Sequence, residues 1–402
     1  MTAVIKKSKA GGSVRAPSSK SMAHRLLICA ALAKGESEIT NVTYSEDILA
    51  TIDCLKKMGS EMKPDKDTVH VKGIENIFDV PESDFFCRES GSTLRFLLPL
   101  LLLNGNKQHF TGAGLLMKRP MSVYEQICKD HGLHYRQTPD AIEIKGTLSG
   151  GDFTVPGNIS SQFVSGLLFT LPFLKTESRI RLIPPVESRS YINMTVDAMN
   201  AFGVNVRWED ENTLTASVGS GYQPCSLSVE GDYSGAAFLD AFNVLGGNVA
   251  VTGLKENSLQ GDSIYKKLYP LLKSGKPEID VSDCPDLAPI LMTIAAEKHG
   301  AVFIGTKRLK LKESDRGEVM KQELSKFGAI IHTEENRITV EPSTLHKPKE
   351  TLSGHNDHRI VMSLAVLASV YGAEIDEAEA VSKSFPGFFE VIKGLNIEVE
   401  IK

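Results

Sequence analysis

The sequence predicts a mixed α/β protein of two domains, each built from three copies of one strand–helix unit. Three observations carry that expectation. A cluster of small or polar residues opens a strongly apolar run six times along the 402 residues. Each apolar run is followed by an amphipathic segment that ends at a glycine. After most of these, apolar and polar residues alternate on both sides of a turn. The unit is therefore strand, buried helix, strand, amphipathic helix, then two strands, a βαβαββ pattern, and a repeat of this length sets the architecture before any single element does. A chain this long exceeds one simple core. Six units then divide into two domains of three, with buried helices inside and sheets outside.

The first cluster is Pro17-Ser18-Ser19-Lys20-Ser21, and the apolar helix over 26–32 follows Arg25. Serines ahead of a helix cap free N–H groups, and the same end attracts anions. Lys20 and Arg25 make it a compact receptor for phosphate or carboxylate. The second cluster, Glu89-Ser90-Gly91-Ser92-Thr93, opens 94–103 and is closed by Asn104-Gly105. The third, Ser160-Ser161-Gln162, opens 163–174. The fourth, Asp232-Tyr233-Ser234-Gly235, opens 236–245 before Gly246-Gly247. The fifth, Pro285-Asp286, opens 287–296, closed by Gly300, and the sixth, Asn356-Asp357-His358-Arg359, opens 360–370 before Gly372. Helices apolar on every side are buried. The amphipathic helices are expected over 46–58, 122–131, 191–202, 263–274, 314–327 and 388–393, each stopped by the glycine that suits a helix C-terminus. Alternation over 68–72, 141–145 and 337–341, each after a polar turn, reads as hairpins. The domain boundary belongs in the turn-rich stretch 219–225 or just after it.

Net charge is −5, so no global field favours nucleic acid or an anionic membrane, and any anion site must be local. Cys29, Cys54, Cys87, Cys128, Cys225 and Cys284 show no paired spacing, which fits reduced thiols. His131/His134 and His355/His358 lack the partners of a zinc set. Residues 1–9 hold basic side chains but no apolar signal core, and the most apolar run, 96–103, contains Pro99 and is far short of the ~20 residues that span a bilayer. A cytoplasmic protein is expected.

Cations and hydroxyls gather at the helix starts: Lys20, Ser21 and Arg25; Gly91, Arg95 and, downstream, Lys118-Arg119-Pro120; Ser160, Ser161, Gln162, then Ser188-Arg189. The later units add Arg308, Lys312, Arg316, Arg359 and Lys383. Guanidinium forks suit carboxylate and phosphate, so the pattern points to a substrate with several negative charges. For Arg95, inside an apolar helix, a structural ion pair is the expected role, and Ser18 and Ser314 read as caps. No phosphate-loop motif is present, and Gly112-Ala113-Gly114 lacks the third glycine of a dinucleotide fingerprint, which argues against a kinase or dehydrogenase. Asp286 and Glu313 stand beside the cations, as proton transfer requires.

Ser18-Ser19-Lys20-Ser21 with Arg25, Lys118-Arg119-Pro120, Ser160-Ser161-Gln162-Phe163, Lys312-Glu313-Ser314-Asp315-Arg316, Asn356-Asp357-His358-Arg359 and Lys383-Ser384-Phe385-Pro386 together resemble the signatures of the 5-enolpyruvylshikimate-3-phosphate (EPSP) synthase family, in order and spacing. The resemblance implies two inside-out α/β domains, 1–18 with 231–402 and 19–230, and an active site in the cleft they share. It implies transfer of the enolpyruvyl group of phosphoenolpyruvate to the 5-hydroxyl of shikimate 3-phosphate, with no cofactor or metal, by a monomer. It places Lys20, Ser21, Arg25, Ser160, Ser161, Gln162, Ser188, Asp286 and Lys312 on shikimate 3-phosphate, with Arg189 an added cation near its phosphate. It places Lys20, Gly91, Arg119, Gln162, Arg316, Arg359 and Lys383 on phosphoenolpyruvate. Glu313 is expected at the methylene, Asp286 at the 5-hydroxyl, and Lys20 at the hydroxyl or the leaving phosphate.

Two positions depart from the family pattern. Glu89 stands where the family usually has asparagine, pointing away or pairing with Arg88 or Arg95, and Arg308 stands where some members have asparagine. Gly91 is kept, so sensitivity to glyphosate is expected. Two rivals are an enolpyruvyl transferase acting on UDP-N-acetylglucosamine, which typically uses a mobile-loop cysteine or aspartate, and a silent binding subunit. Cys128 lies in an apolar helical pattern, and Lys20, Asp286, Glu313, Arg316 and Lys383 are all intact.

Overall fold

The computed structural model describes residues 1–219 and 221–402; Ser220, within the stretch where the sequence places the boundary, lies outside them. The chain forms two compact units, Lys20–Glu230 and Met1–Ser19 with Gly231–Lys402.

In the unit Lys20–Glu230 the helices are, in chain order, α1 (Lys20–Leu32), α2 (Glu46–Lys57), α3 (Gly91–Leu101), α4 (Ser122–Asp130), α5 (Ser161–Thr170) and α6 (Arg189–Ala201). Every residue of α1 from Met22 to Leu32 is buried, which is why its sequence shows no polar stripe. The amphipathic α2 instead buries Ile48, Ile52 and Leu55, spaced along one face. Ser45 caps it and accepts from the Ile48 N–H at 3.4 Å. The sequence reads one helix over 163–174, but α5 stops at Thr170 and a 3₁₀ turn, Leu171–Phe173, follows. Pro172 has no N–H to continue the α-helical ladder.

Each repeat here ends in a four-stranded sheet. Ser83–Phe86 lies parallel to Lys107–Thr111, with α3 as the crossover, and the hairpin of His134–Gln137 and Ala141–Lys145 adds antiparallel. Asp152–Pro156, Arg179–Ile183, Val206–Trp208 and Thr213–Ala216 repeat the pattern around α5 and α6. The first repeat takes its opening strand from the far end of the unit: Ser226–Ser228 pairs in parallel with Glu36–Thr40, which meets the hairpin Glu61–Asp65/Thr68–Lys72. The three buried helices and the inward faces of these sheets make one hydrophobic core.

The other unit carries α7 (Tyr233–Val244), α8 (Tyr265–Ser274), α9 (Ala288–Glu297), α10 (Arg316–Ser325), α11 (His358–Tyr371) and α12 (Phe388–Gly394) around its own core. The fifth repeat has the full four-stranded sheet. The sixth is completed by the N-terminal strand, Ala3–Ile5, held antiparallel between Ala373–Asp376 and Val399–Ile401. The fourth differs from the expected unit. Its sheet is a parallel pair, Gly11–Arg15 with Asn248–Thr252, and no hairpin is added. Only residues 275–277 separate α8 from Glu278–Asp280 of the next sheet, so no chain is left to build one. Among the described residues no helix is long and apolar enough to cross a membrane, and all six cysteines are free.

Candidate active site

In the unit Lys20–Glu230 the cluster grows from the N-terminal turns of α1, α3 and α5. Lys20 opens α1 and forms an ion pair with Asp47 of α2 at 2.7 Å. One turn on, Arg25 is buried and donates to the Ser21 carbonyl at 2.6 Å, Thr195 Oγ1 at 2.8 Å and the Tyr191 carbonyl at 2.9 Å. Its guanidinium lies 5.2 Å from the centre of the Phe96 ring. Burial lowers its pKa to about 10, so it stays charged at neutral pH. With a longer contact from Nη2 to Ser165 Oγ of α5 at 3.4 Å, Arg25 is fastened across α1, α5 and α6, with Ser21 beside it.

Gly91 is the first residue of α3. A methyl group there would sit 2.9 Å from Arg119 Nη1, 3.4 Å from Arg95 Nη1 and 3.7 Å from Gln162 Oε1, so the glycine leaves room for three polar groups to converge. Gln162 bridges two of the helix starts. It accepts from Arg95 at 2.7 Å and donates to Ser92 Oγ at 3.0 Å. Arg95 also donates to the Pro120 carbonyl at 3.3 Å and lies 5.0 Å over Phe163. Ser160 caps α5, accepting from the Gln162 N–H at 3.3 Å, and Ser161 is its buried first residue. Ser188 precedes α6 at φ +55°, a left-handed conformation that costs a non-glycine residue roughly 1–2 kcal/mol. Arg189 lies 3.9 Å over Trp208 and donates to the Glu211 carbonyl at 2.6 Å. The carboxylate of Glu89 faces Gly114, where a methyl group would be 2.7 Å from Oε2. Arg88 bonds Glu46 and Asp53.

The second cluster, in the unit that includes Gly231–Lys402, centres on Asp286. Its carboxylate meets Lys312 at 3.1 Å, Arg316 at 2.8 Å and Arg359 at 2.9 Å. Burial alone would raise the Asp286 pKa, but the charges of Arg359, Lys312 and Arg316 override it and hold the group well below the carboxylate range. Burial lowers the Lys312 pKa, with Asp286 opposing. Arg316 is almost wholly buried and uses its whole fork: Nη1 to Asp286, Nη2 to Glu313 at 2.7 Å, Nε to Asp357 at 2.8 Å. Burial disfavours its charge, and Asp357, Glu313 and Asp286 more than restore it. Asp357 also caps α11 by accepting from the Arg359 N–H at 2.9 Å. Ser314 donates to Asp357 at 3.1 Å, while Asp315 caps α10, so the sequence's choice of Ser314 as the cap is corrected by one residue. Lys383 donates to the Asn356 carbonyl at 2.6 Å. Arg308 is buried in the 3₁₀ turn Lys307–Leu311.

Sequence reasoning missed Asp47, Asp262 and Ser234. In the sequence Asp47 is indistinguishable from an ordinary first-turn acid of a capped helix. Asp262 is buried, accepts from Ser234 Oγ, and has its pKa raised to about 6 by burial and then by the charge of Asp286, with Arg359 opposing. Nothing in its local sequence marks it. Among the described residues no three His, Cys, Asp or Glu side chains are grouped so as to hold a metal.

Chemically, the first cluster offers cations and hydroxyls at helix starts, and the second three carboxylates locked to a single guanidinium. The fold is a known one. It matches solved structures of EPSP synthase from Acinetobacter baumannii (TM-score 0.78, 24% identity, 100% of both chains) and of the enolpyruvyl transferase NikO from Streptomyces tendae (TM-score 0.79, 13% identity, 99% of this chain and 98% of that one). The family model for EPSP synthase (3-phosphoshikimate 1-carboxyvinyltransferase) matches residues 4–392, and the chain belongs to that family. It is 39% identical to the 3-phosphoshikimate 1-carboxyvinyltransferase of Clostridium perfringens strain SM101 over 98% of both chains, and 38% identical to that of Clostridium kluyveri over 98% of this chain and 97% of the other.

Proposed function

We propose that the protein transfers the enolpyruvyl group of phosphoenolpyruvate to the 5-hydroxyl of shikimate 3-phosphate and releases inorganic phosphate, a step of aromatic amino acid biosynthesis. Family membership over residues 4–392 supports the reaction. The roles within it rest on one observation: a single guanidinium, Arg316, binds both Asp286 and Glu313.

The methylene carbon of phosphoenolpyruvate gains a proton, and the 5-hydroxyl oxygen bonds to C2 and gives up its own. The tetrahedral adduct then breaks its C–O bond to phosphate and loses a methyl proton, restoring the double bond. Glu313, fixed by Arg316, delivers and removes the proton at the methylene. Asp286, held ionised by three cations, is a weak base but a strong acceptor. It orients the 5-hydroxyl and takes the proton only as the new C–O bond acidifies it. Arg119, Arg316, Arg359, Lys383 and Lys20 counter charge on phosphoenolpyruvate and its leaving phosphate, with Gly91 and Gln162 setting close approach. Lys20, Ser21, Arg25, Ser160, Ser161, Gln162, Ser188 and Lys312 hold shikimate 3-phosphate. The protein acts in the cytoplasm as a monomer.

A sugar-nucleotide acceptor is disfavoured because the Cys128 thiol is buried in α4 and pushed up to about 12 by that burial, unlike a reactive loop cysteine. The test is phosphate release from the two substrates without added metal, for the wild type and Glu313→Gln. Wild-type turnover with a loss of at least about 100-fold in the variant, shikimate 3-phosphate binding being retained, is expected. Equal rates would remove Glu313 from the mechanism, and an inactive wild type that still binds both ligands would leave a silent subunit.

A further inference from the structure

A buried chain of side-chain hydrogen bonds crosses the unit Lys20–Glu230 and takes no part in the roles above. His24 Nδ1 on α1 is 2.8 Å from Thr51 Oγ1 on α2. Thr51 Oγ1 is 2.7 Å from Thr93 Oγ1 on α3, and Thr93 Oγ1 donates to Ser90 Oγ at 2.7 Å. His24 is 1% exposed and Thr51, Thr93 and Ser90 are 0% exposed. Each end abuts a residue assigned to substrate. His24 lies one turn after Lys20, whose partner Asp47 shares α2 with Thr51. Ser90 caps α3, accepting from the Thr93 N–H at 3.2 Å, and Gly91 follows it directly.

The chain has a direction. Thr93 spends its hydroxyl proton on Ser90, so it accepts from Thr51, and Thr51 in turn accepts from His24. His24 must then carry its proton on Nδ1. Its Nε2, buried and without a hydrogen-bond partner, is left as a bare lone pair. The opposite tautomer would bury an unsatisfied N–H, the costlier alternative. Burial, followed by the positive charges of Lys20 and Arg25, holds the His24 pKa well below its ordinary value, so the ring is neutral. Arg25 and Lys20 face it from α1, and Phe96 of α3 meets its ring edge-on at 6.3 Å.

We infer that His24 is a positioning residue for phosphoenolpyruvate: as a neutral Nδ1–H donor it fixes, through Thr51 and Thr93, the Ser90 cap that presents Gly91, and so sets the start of α3 against the Lys20 end of α1. This rests on the function proposed above. Its physical basis is that hydrogen bonds closed to water are strong and directed, so each link in the buried chain constrains the next. Substrate geometry is sensitive to small displacements of such supports.

The decisive variant is Thr51→Val, nearly isosteric, which cuts the chain at its centre. It should raise KM for phosphoenolpyruvate about tenfold while leaving KM for shikimate 3-phosphate unchanged. It should also speed hydrogen exchange at the Thr93 amide. Thr51→Ser should restore both, and so should His24→Asn, whose side-chain amide offers a donor near the Nδ1 position, whereas His24→Leu should not. Nitrogen-15 NMR should show one neutral Nδ1–H imidazole that does not titrate from mildly acid to mildly alkaline pH. An unchanged KM for phosphoenolpyruvate in Thr51→Val, or equal losses for both substrates, would overturn the inference. If the wild type does not turn over these substrates, the functional reading fails by itself, and Thr93 exchange in Thr51→Val still decides whether the chain holds the cap.

Discussion

Arg316 Nη1 lies 2.8 Å from Asp286 Oδ1, on a guanidinium whose side chain is 1% exposed. The same planar fork reaches Glu313 and Asp357, and a compact ammonium cannot reproduce three directed bonds. Arg316→Lys should therefore leave at least one buried carboxylate unpaired, Asp357 being fully enclosed. A loss of about 3 kcal/mol is expected, seen as a lower urea midpoint at constant slope, together with loss of turnover. A change within about 0.5 kcal/mol, the range of an ordinary surface substitution, would remove this cluster as a support of the fold.

Asp262 gives a pH dependence of defined sign. Its pKa is raised from 3.8 to about 6, by burial first and then by Asp286. The native state keeps this proton where the unfolded chain has released it, so the group's contribution to stability falls as pH rises from 3.8 to about 6 and is flat above that. Asp262→Asn removes the penalty. The variant should match the wild type near pH 4 and exceed it by roughly 2–3 kcal/mol at pH 7.5, with Asn still accepting from Ser234. Asp286 has the opposite dependence, but its contribution changes only below its ordinary value of 3.8 and so lies outside this window. Melting curves showing the same difference at both pH values would refute the assignment.

Gly91→Ala puts a methyl group 2.9 Å from Arg119 Nη1, the far end of a flexible side chain. The fold should tolerate it, since Gly91 opens a helix and has no positive φ. Arg119 must shift, so KM for phosphoenolpyruvate should rise about tenfold with little change in melting temperature. The wild type should be inhibited by glyphosate and the variant much less so. Uninhibited wild-type turnover at millimolar glyphosate, with phosphoenolpyruvate near its KM, would contradict both statements.

Trp208 is the single tryptophan, and Arg189 covers its ring at 3.9 Å. Shikimate 3-phosphate bound next to Ser188 would draw on that guanidinium and change the emission. Titration with shikimate 3-phosphate should alter the fluorescence of the wild type, and Arg189→Ala should lose most of the response. An identical response in the variant would separate Arg189 from this substrate.

The buried helices were legible because burial on all sides leaves no polar stripe, and α1, α9 and α11 show it plainly. Lys20, Arg25 and Gln162 stood out for a related reason: charge or amide at the mouth of an apolar helix needs a partner. The partners themselves were not legible. Asp47 looks like any first-turn acid, and Asp357, which caps α11, joins Arg316 across 41 positions that no periodicity connects. Asp262 is made unusual only by what surrounds it. The missing hairpin of the fourth repeat was hidden because α8 has the same amphipathic pattern as its counterparts, and the shortage of chain after it shows only once Glu278–Asp280 is placed in the next sheet.

The strand Ala3–Ile5 sits between Ala373–Asp376 and Val399–Ile401. During synthesis it leaves the ribosome before either neighbour and then waits for both. The segment Lys20–Glu230 is continuous and holds every strand it needs, including Ser226–Ser228, so it can close its sheets while the rest is still being translated. The other unit cannot close its last sheet until residue 401 has emerged. A stalled or shortened product should therefore hold one finished unit and one with an open sheet edge at Ala3–Ile5, the kind of edge that recruits other chains.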